Sequence, residues 1–348
     1  MRRFTLLAMV CSLIANRFAF AGATDKRLDI YWVDTEGGAA TLIVTPAGES
    51  VLIDAGNPGQ RDPHRIFDVA TKVAGLTQID HMVTTHYHID HFGGAAELSK
   101  LIPIRNVYNN GAFASGRERP SQEYLDFKCE QRVVLNPGEE VPLKQADGAP
   151  PVHLRCLAAR QTAIEPPAGA IPNPLCVDPK HKPKDLSDNA NSIVQVLNFG
   201  DFRFFDGGDL TWNVELKLVC PINLVGQVDV YQAEHHGLDQ SNHPLLIASL
   251  APVVAIINNG PKKGCEPQMF AALKSTASVQ GIYQLHRNVR PDGDVTNVSS
   301  EFIANEDEKC DGNYVKLSVD PGAKRYAVSV PATKHEKVYD VRGNRDVK

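Results

Sequence analysis

The sequence predicts a mixed α/β (α+β) chain built as a single domain. Its 348 residues are 43% hydrophobic, enough to bury a sizeable core. Three short runs of β-forming residues open the chain and pass into a β-α-β-α alternation. Acidic and histidine residues then recur where apolar strands give out. No internal repeat is present, and no linker is clean enough to mark a second domain.

Leu28 to Val33, Thr41 to Thr45 and Ser50 to Ile53 predict a three-strand meander, with Ala47-Gly48-Glu49 turning the chain into the third strand. Asp54-Ala55-Gly56 closes that strand, and Asn57-Pro58-Gly59 marks the loop beyond it. From Asp62 to Val73 the spacing of Ile66, Val69, Ala70 and Val73 predicts a helix with one apolar face. A strand from Ile79 to Val83 follows, and a helix from Gly94 to Lys100 lies behind it. The stretch from Arg105 to Asp188 is less regular, with strands predicted at Arg132 to Val134 and Val152 to Ala158. Between Ile164 and Pro183 it is proline-rich and reads as a pocket-rimming loop. Strands return at Ser192 to Asn198, Phe202 to Phe205, Val228 to Ala233 and Val253 to Asn258. Helices are predicted at Pro244 to Ser249, with Asn242 as cap, and at Pro267 to Leu273. A final hairpin, Tyr314 to Val319 and Tyr326 to Val330, turns on Asp320-Pro321-Gly322.

The first residues combine Met1-Arg2-Arg3, an apolar run from Phe4 to Ala15, and Ala19-Phe20-Ala21. That order predicts a secretory signal peptide over residues 1–21 and a periplasmic or secreted mature chain from 22 to 348, with no membrane span of its own. Cys129, Cys156, Cys176, Cys220, Cys265 and Cys310 then remain, an even number suited to disulfide bonds in an oxidising compartment. The net charge of −5 lacks the basic excess of duplex-binding proteins. There is no P-loop and no nucleophile elbow.

The chemistry concentrates in Thr85-His86-Tyr87-His88-Ile89-Asp90-His91, followed by Phe92-Gly93-Gly94. Imidazole nitrogens and carboxylate oxygens at this tight spacing suit zinc or a similar divalent ion. Asp54, Asp209 after Phe204-Phe205-Asp206-Gly207-Gly208, and His235-His236-Gly237 share the same placement at strand ends. Strand ends that face one sheet edge make a shared site. His64, His81, His153, His181, His286 and His335 fall outside this pattern and read as surface or core residues, while His243 reads as a helix-start residue.

The order I-D-A-G, T-H-x-H-x-D-H-x-G-G, N-x-N-S, G-G-D-L and H-H-G resembles the metallo-β-lactamase fold superfamily from Leu28 to about His286. It is most similar to the branch holding the hydrolase domain of ComEC-type DNA-uptake proteins and the phosphorylcholine esterases. The resemblance implies a four-layer αββα sandwich with two divalent metal ions at one edge, zinc first and manganese or iron as alternatives. It implies His86 and His88 on one ion, Asp90 and His91 on the other, Asp209 as the bridge and one member of the His235-His236 pair completing the second site, with His236 favoured over His235. The other histidine of the pair, His235 in the favoured arrangement, would face substrate and Asp90 would orient the attacking water, with Asp54 and Asn191 supporting the ligands from behind. Two departures stand out: Asn191 lies where many members supply a histidine, and Cys265 lies where ComEC-like domains carry Gly-His-Pro.

These features lead to an expected exported metallohydrolase that uses a metal-activated water, on a small-molecule phosphoester or a phosphodiester. A lactone, β-lactam or thioester substrate is the alternative within the same site. A binding module that keeps the fold without catalysis is the alternative of another class. Nothing in the sequence fixes an oligomeric state.

Overall fold

The computed structural model describes residues 22–111 and 118–343; the expected signal peptide lies outside them. The chain first lays down β1 (Leu28–Trp32), β2 (Thr41–Val44), β3 (Ser50–Ile53), β4 (Ile79–Val83), β5 (Ile104–Asn109) and β6 (Gln131–Val134). It then builds a second sheet from β7 (Glu140–Val141), β8 (Val152–Ala159), β9 (Thr162–Ala163), β10 (Val194–Phe199), β11 (Phe202–Asp206), β12 (Val230–Gln232), β13 (Val254–Ile257), β14 (Gly281–His286) and β15 (Ile303–Asn305). It returns to the first with β16 (Val315–Val319), β17 (Arg325–Val330) and β18 (His335–Asp340). The first sheet runs β18-β17-β16-β1-β2-β3-β4-β5-β6; the second runs β15-β14-β13-β12-β11-β10-β8-β7, with β9 paired to β8.

Side-chain alternation explains the layering. Along β1, Leu28, Ile30 and Trp32 point into a core shared with Leu197, Phe199, Phe204, Val230 and Ile256 of the second sheet. Tyr31 points the other way, into a cluster with Ile66, Val69, Ala70, Phe92 and Leu98. Those residues come from α1 (Arg61–Asp68) with the turn that continues it, α2 (Ile89–Phe92) and α3 (Ala95–Leu101). On the outer face of the second sheet, Val196, Phe205, Tyr231 and Ala255 meet Leu218, Leu246, Ile247, Leu250, Phe270 and Leu273. With α4 (Gln122–Asp126) on the first sheet, the helices on that second face are α5 (Trp212–Val219), α6 (Pro244–Leu250), α7 (Pro267–Ser275) and the short α8 (Gly293–Thr296). Two sheets buried on both faces between helices make the αββα sandwich.

In the first sheet β3, β4, β5 and β6 are parallel, and in the second β11 to β15 are parallel. Parallel strands deliver their carboxyl ends to one edge, the usual place for a site in such sheets. The loops after β3, β4, β11, β12 and β13 therefore meet.

Several expectations shift. The helix expected to Val73 turns π-helical over Val69–Val73, a wider turn that carries Val73 off the apolar face and leaves it exposed. Arg105 and Asn106 hid β5, a fully paired strand of the first sheet. Helix α6 is capped by the His243 ring, whose Nδ1 accepts from the Leu245 N–H, rather than by Asn242. The Asn242 side chain is instead held by Tyr231, Glu234 and Leu238. The expected C-terminal hairpin forms, gains β18, and lies against β1 as part of the first sheet. Among the described cysteines one pair is joined, Cys176 to Cys220, while Cys129, Cys156, Cys265 and Cys310 are free thiols.

Candidate metal centre

The first half of the site comes from β3 and β4. Asp54, left-handed at φ 59°, directly follows β3 and turns its carboxylate under the next loop. It accepts from the Thr85 N–H at 2.8 Å, from Thr85 Oγ1 at 2.7 Å and from His91 Nδ1 at 2.7 Å. His91 is thereby oriented with Nε2 facing inward. His86 leaves β4 fully buried, its Nδ1 3.0 Å from Thr85 Oγ1 and its Nε2 without a hydrogen-bond partner. His88 precedes α2 and keeps a partly exposed ring, with Nε2 3.7 Å from Glu118.

The second half comes from β11 and β12. Gly207-Gly208 carry Asp209 inward, its N–H donating to Ser192 Oγ at 3.2 Å. After β12, His235 and His236 both take left-handed backbone angles, φ 53° and 56°. Two consecutive residues in this region without glycine are strained, and such strain concentrates at functional sites. The loop after β13 holds them down: the Cys265 N–H donates to the His236 carbonyl at 3.0 Å, and a Cβ on Gly264 would stand 2.0 Å from that oxygen.

The halves converge on Asp209 Oδ2. Four imidazole Nε2 atoms surround it, His91 at 3.2 Å, His236 at 3.5 Å, His235 at 3.6 Å and His86 at 3.8 Å. Two ligand triads result, His86 with His88 and Asp209, and Asp90 with His91 and His236, the ligand atoms of each lying within 4.8 Å of one another. Asp90 Oδ2 lies 3.3 Å from His236 Nε2 and also meets the Lys263 ammonium.

Charge in this pocket is set by burial and by the carboxylates. Burial, together with a charged His91 beside it, holds His86 well below its ordinary range and keeps it neutral. Burial would depress His91 too, but Asp209, Asp54 and Asp90 outweigh it and raise that group. Burial pushes Asp209 up, yet His91, His236 and His235 together hold it well below the carboxylate range. His235 is pushed down to about 4, chiefly by burial. Asp206, fully buried behind the site, is pushed up to about 7. An unpartnered buried His86 nitrogen, ionised carboxylates and converging imidazoles fit divalent metal ions.

Every sequence-predicted ligand residue reaches this edge, and Asp54 lies directly beneath His91. Asn191 does not face the pocket: its amide donates to Asp188 and accepts from Gln161. Asn189 lies there instead, Nδ2 3.3 Å from His235 Nε2 with its Oδ1 unpartnered. The Cys265 thiol points into the core, donating to the Thr296 carbonyl at 3.2 Å. Sequence reading missed Lys263, although Gly260-Pro261-Lys262-Lys263 is another strand-end turn, after β13. Asp206 was legible only as part of the apolar run before Asp209.

A two-sheet αββα sandwich with this histidine and aspartate edge is consistent with the metallo-β-lactamase fold. The model of that family, described as Metallo-beta-lactamase superfamily, matches residues 33–157, the segment that holds Asp54 and the His86 to His91 motif. Among solved structures the chain is similar to the metallo-β-lactamase fold protein YhfI from Bacillus subtilis, at 12% identity over 74% of this chain and 96% of that one, with a TM-score of 0.46. It is similar to CmlA, a diiron β-hydroxylase from Streptomyces venezuelae, at 15% identity over 66% of this chain and 44% of that one, TM-score 0.39. A Cronobacter sakazakii metallo-β-lactamase with a HARLDQ motif follows at 18% identity over 58% and 73%, TM-score 0.34. At such identities nothing of what those proteins act on transfers to this chain. No curated protein matches it.

Proposed function

We propose that this protein is an exported metal-dependent hydrolase that cleaves a phosphoester or phosphodiester with a water activated by two divalent ions. The convergence of four imidazoles on Asp209 Oδ2, with Asp90 and His88 completing the two triads, is the observation that supports it. His86, His88 and Asp209 would hold one ion, and Asp90, His91 and His236, with Asp209 shared, the other. Zinc fits this nitrogen and oxygen donor set first, with manganese or iron next. Divalent ions there supply an acidified water and polarise the substrate oxygen under attack.

The chain's own residues do the rest. Asp54 keeps His91 in one orientation, and Asp90 lies where it can align a water. His235 presents Nε2 toward Asp209, its ring fixed by Asn189 and by Ser241, whose Oγ is 3.2 Å from Nδ1. Pushed down to about 4, it is neutral at neutral pH and serves as a hydrogen-bonding partner to substrate. Lys263, at Asp90 and with a partly exposed side chain, adds a cation at the pocket mouth. A fixed ammonium beside the ions favours an anionic phosphoester over a neutral lactone. The N-terminal pattern and the Cys176–Cys220 disulfide both support export.

The test is a substrate panel on purified mature protein, with and without chelator. Chelator-sensitive hydrolysis of a bis-aryl phosphate is expected. Hydrolysis of a lactone or cephalosporin without any of the phosphate would overturn the phosphoester assignment. Under one metal equivalent per chain, with stability indifferent to chelator, would favour the non-catalytic binding module.

A further inference from the structure

Beside the site described above, but outside it, Asp34, His286 and Cys310 meet. Asp34 lies two residues beyond the end of β1 on the first sheet, His286 ends β14 on the second, and Cys310 lies in the connection from β15 back to β16. His286 Nε2 is 2.7 Å from Asp34 Oδ1, Cys310 Sγ is 3.2 Å from Asp34 Oδ2, and Sγ is 3.9 Å from His286 Nε2. Asp34 and His286 are fully buried, whereas Cys310 keeps some solvent contact. The His286 Nδ1 has no partner, so the polar contacts of this ring all lie within the cluster.

We propose that Asp34, His286 and Cys310 form a further metal site, for zinc or a cation of similar softness, separate from the Asp209 centre and independent of the proposed hydrolase reading. Carboxylate, imidazole and thiolate are zinc's preferred donors, and tetrahedral zinc with bonds of about 2.0 to 2.3 Å sets such atoms about 3.5 Å apart. The observed spacings bracket that value. Solvent contact at Cys310 provides an entry path.

The charges also close. Arg65 reaches Asp34 Oδ2 at 2.8 Å, Glu36 at 3.1 Å and Cys310 Sγ at 3.6 Å, and Arg61 meets Glu36 and Asp62 at 2.6 Å each, so Glu36 and Asp62 together balance the two guanidinium groups. The Asp34 carboxylate and the Cys310 thiolate then balance one divalent ion, with His286 neutral. A coordinating thiol is deprotonated outright, so Cys310 would bind as the thiolate. Such an ion would tie the two sheets together at the edge that also carries the Asp209 centre.

The test follows Cys310 itself. Iodoacetamide labelling of Cys310 in the folded native protein, read by peptide mass spectrometry, should slow about tenfold when free zinc is about tenfold above Kd. The slowing should persist in His86→Ala, which disables the other centre. Cobalt-loaded native protein should show thiolate-to-cobalt charge transfer that Cys310→Ser loses together with one bound equivalent, since no triad of the Asp209 centre contains sulfur. Labelling indifferent to zinc, or a cobalt spectrum unchanged in Cys310→Ser, would overturn the proposal.

Discussion

Asp54 and Asp206 illustrate how single carboxylates behind the candidate metal centre do different work. Asp54 spends its oxygens on Thr85 and His91, and those contacts, which oppose the rise that burial imposes on its carboxyl, orient the candidate ligand His91. Asp54→Asn keeps the shape and replaces one acceptor oxygen by a donor amide, and isothermal titration with zinc should show metal affinity about 10- to 100-fold weaker. Asp206 accepts one bond, from the Gly208 N–H, and its other oxygen is buried without a partner. Burial raises it from the ordinary 3.8 to about 7, so between those values the folded protein binds more protons at this group than the unfolded chain does. Its contribution to stability is present below pH 3.8 and is lost as pH rises through 7. Asp206→Asn mimics the protonated form. Denaturant titrations should find it more stable than the native sequence at pH 8, by on the order of a few kcal/mol, and little changed at pH 4. Equal effects at both pH values would contradict this account of Asp206.

At the scale of elements, what was legible followed periodicity, and what was missed lacked it. The strands β1 to β4 and the helices behind them announce themselves because apolar residues recur at the spacing each element needs. Strand β5 did not, because a parallel strand paired on both sides carries polar residues wherever a neighbouring carbonyl or carboxylate takes them up. Asn106 donates to the Asp80 carbonyl and Arg105 pairs with Glu130. The candidate ligand residues were readable because metal chemistry demands rare residue types, here at strand ends. Asn189 against Asn191 was not, since the one-turn helix Asp188–Asn191 decides which amide faces inward. The proline-rich segment was readable as irregular, and its attachments are tertiary: Lys180 accepts through its carbonyl from Trp212 Nε1, Asn173 bonds Val219 and Ser249, and the Cys176–Cys220 disulfide closes the loop. The sequence separation of 44 predicts that Cys176→Ser with Cys220→Ser costs roughly 3 to 4 kcal/mol. Guanidinium unfolding measures it, and a loss well under 1 kcal/mol would mean the loop is held by its other contacts.

For the whole molecule, the design is two sheets whose parallel strands end at one edge, so that loops from separate parts of the chain share a single pocket. The first sheet brings Asp54, His86, His88, Asp90 and His91; the second brings Asp209, His235, His236 and Lys263. Neither sheet can assemble the centre alone. Among the described residues no helix is long and apolar enough to cross a membrane. The proposed two-ion centre depends on Asp209, which would join the two halves by serving both ions. Metal content of the purified protein tests it most directly, in a Cys310→Ser background so that the peripheral cluster does not contribute. The account predicts about two equivalents there, falling to under about one on Asp209→Ala with loss of phosphodiester cleavage and retention of fold. An Asp209→Ala protein that still held two equivalents and still turned over substrate would contradict it.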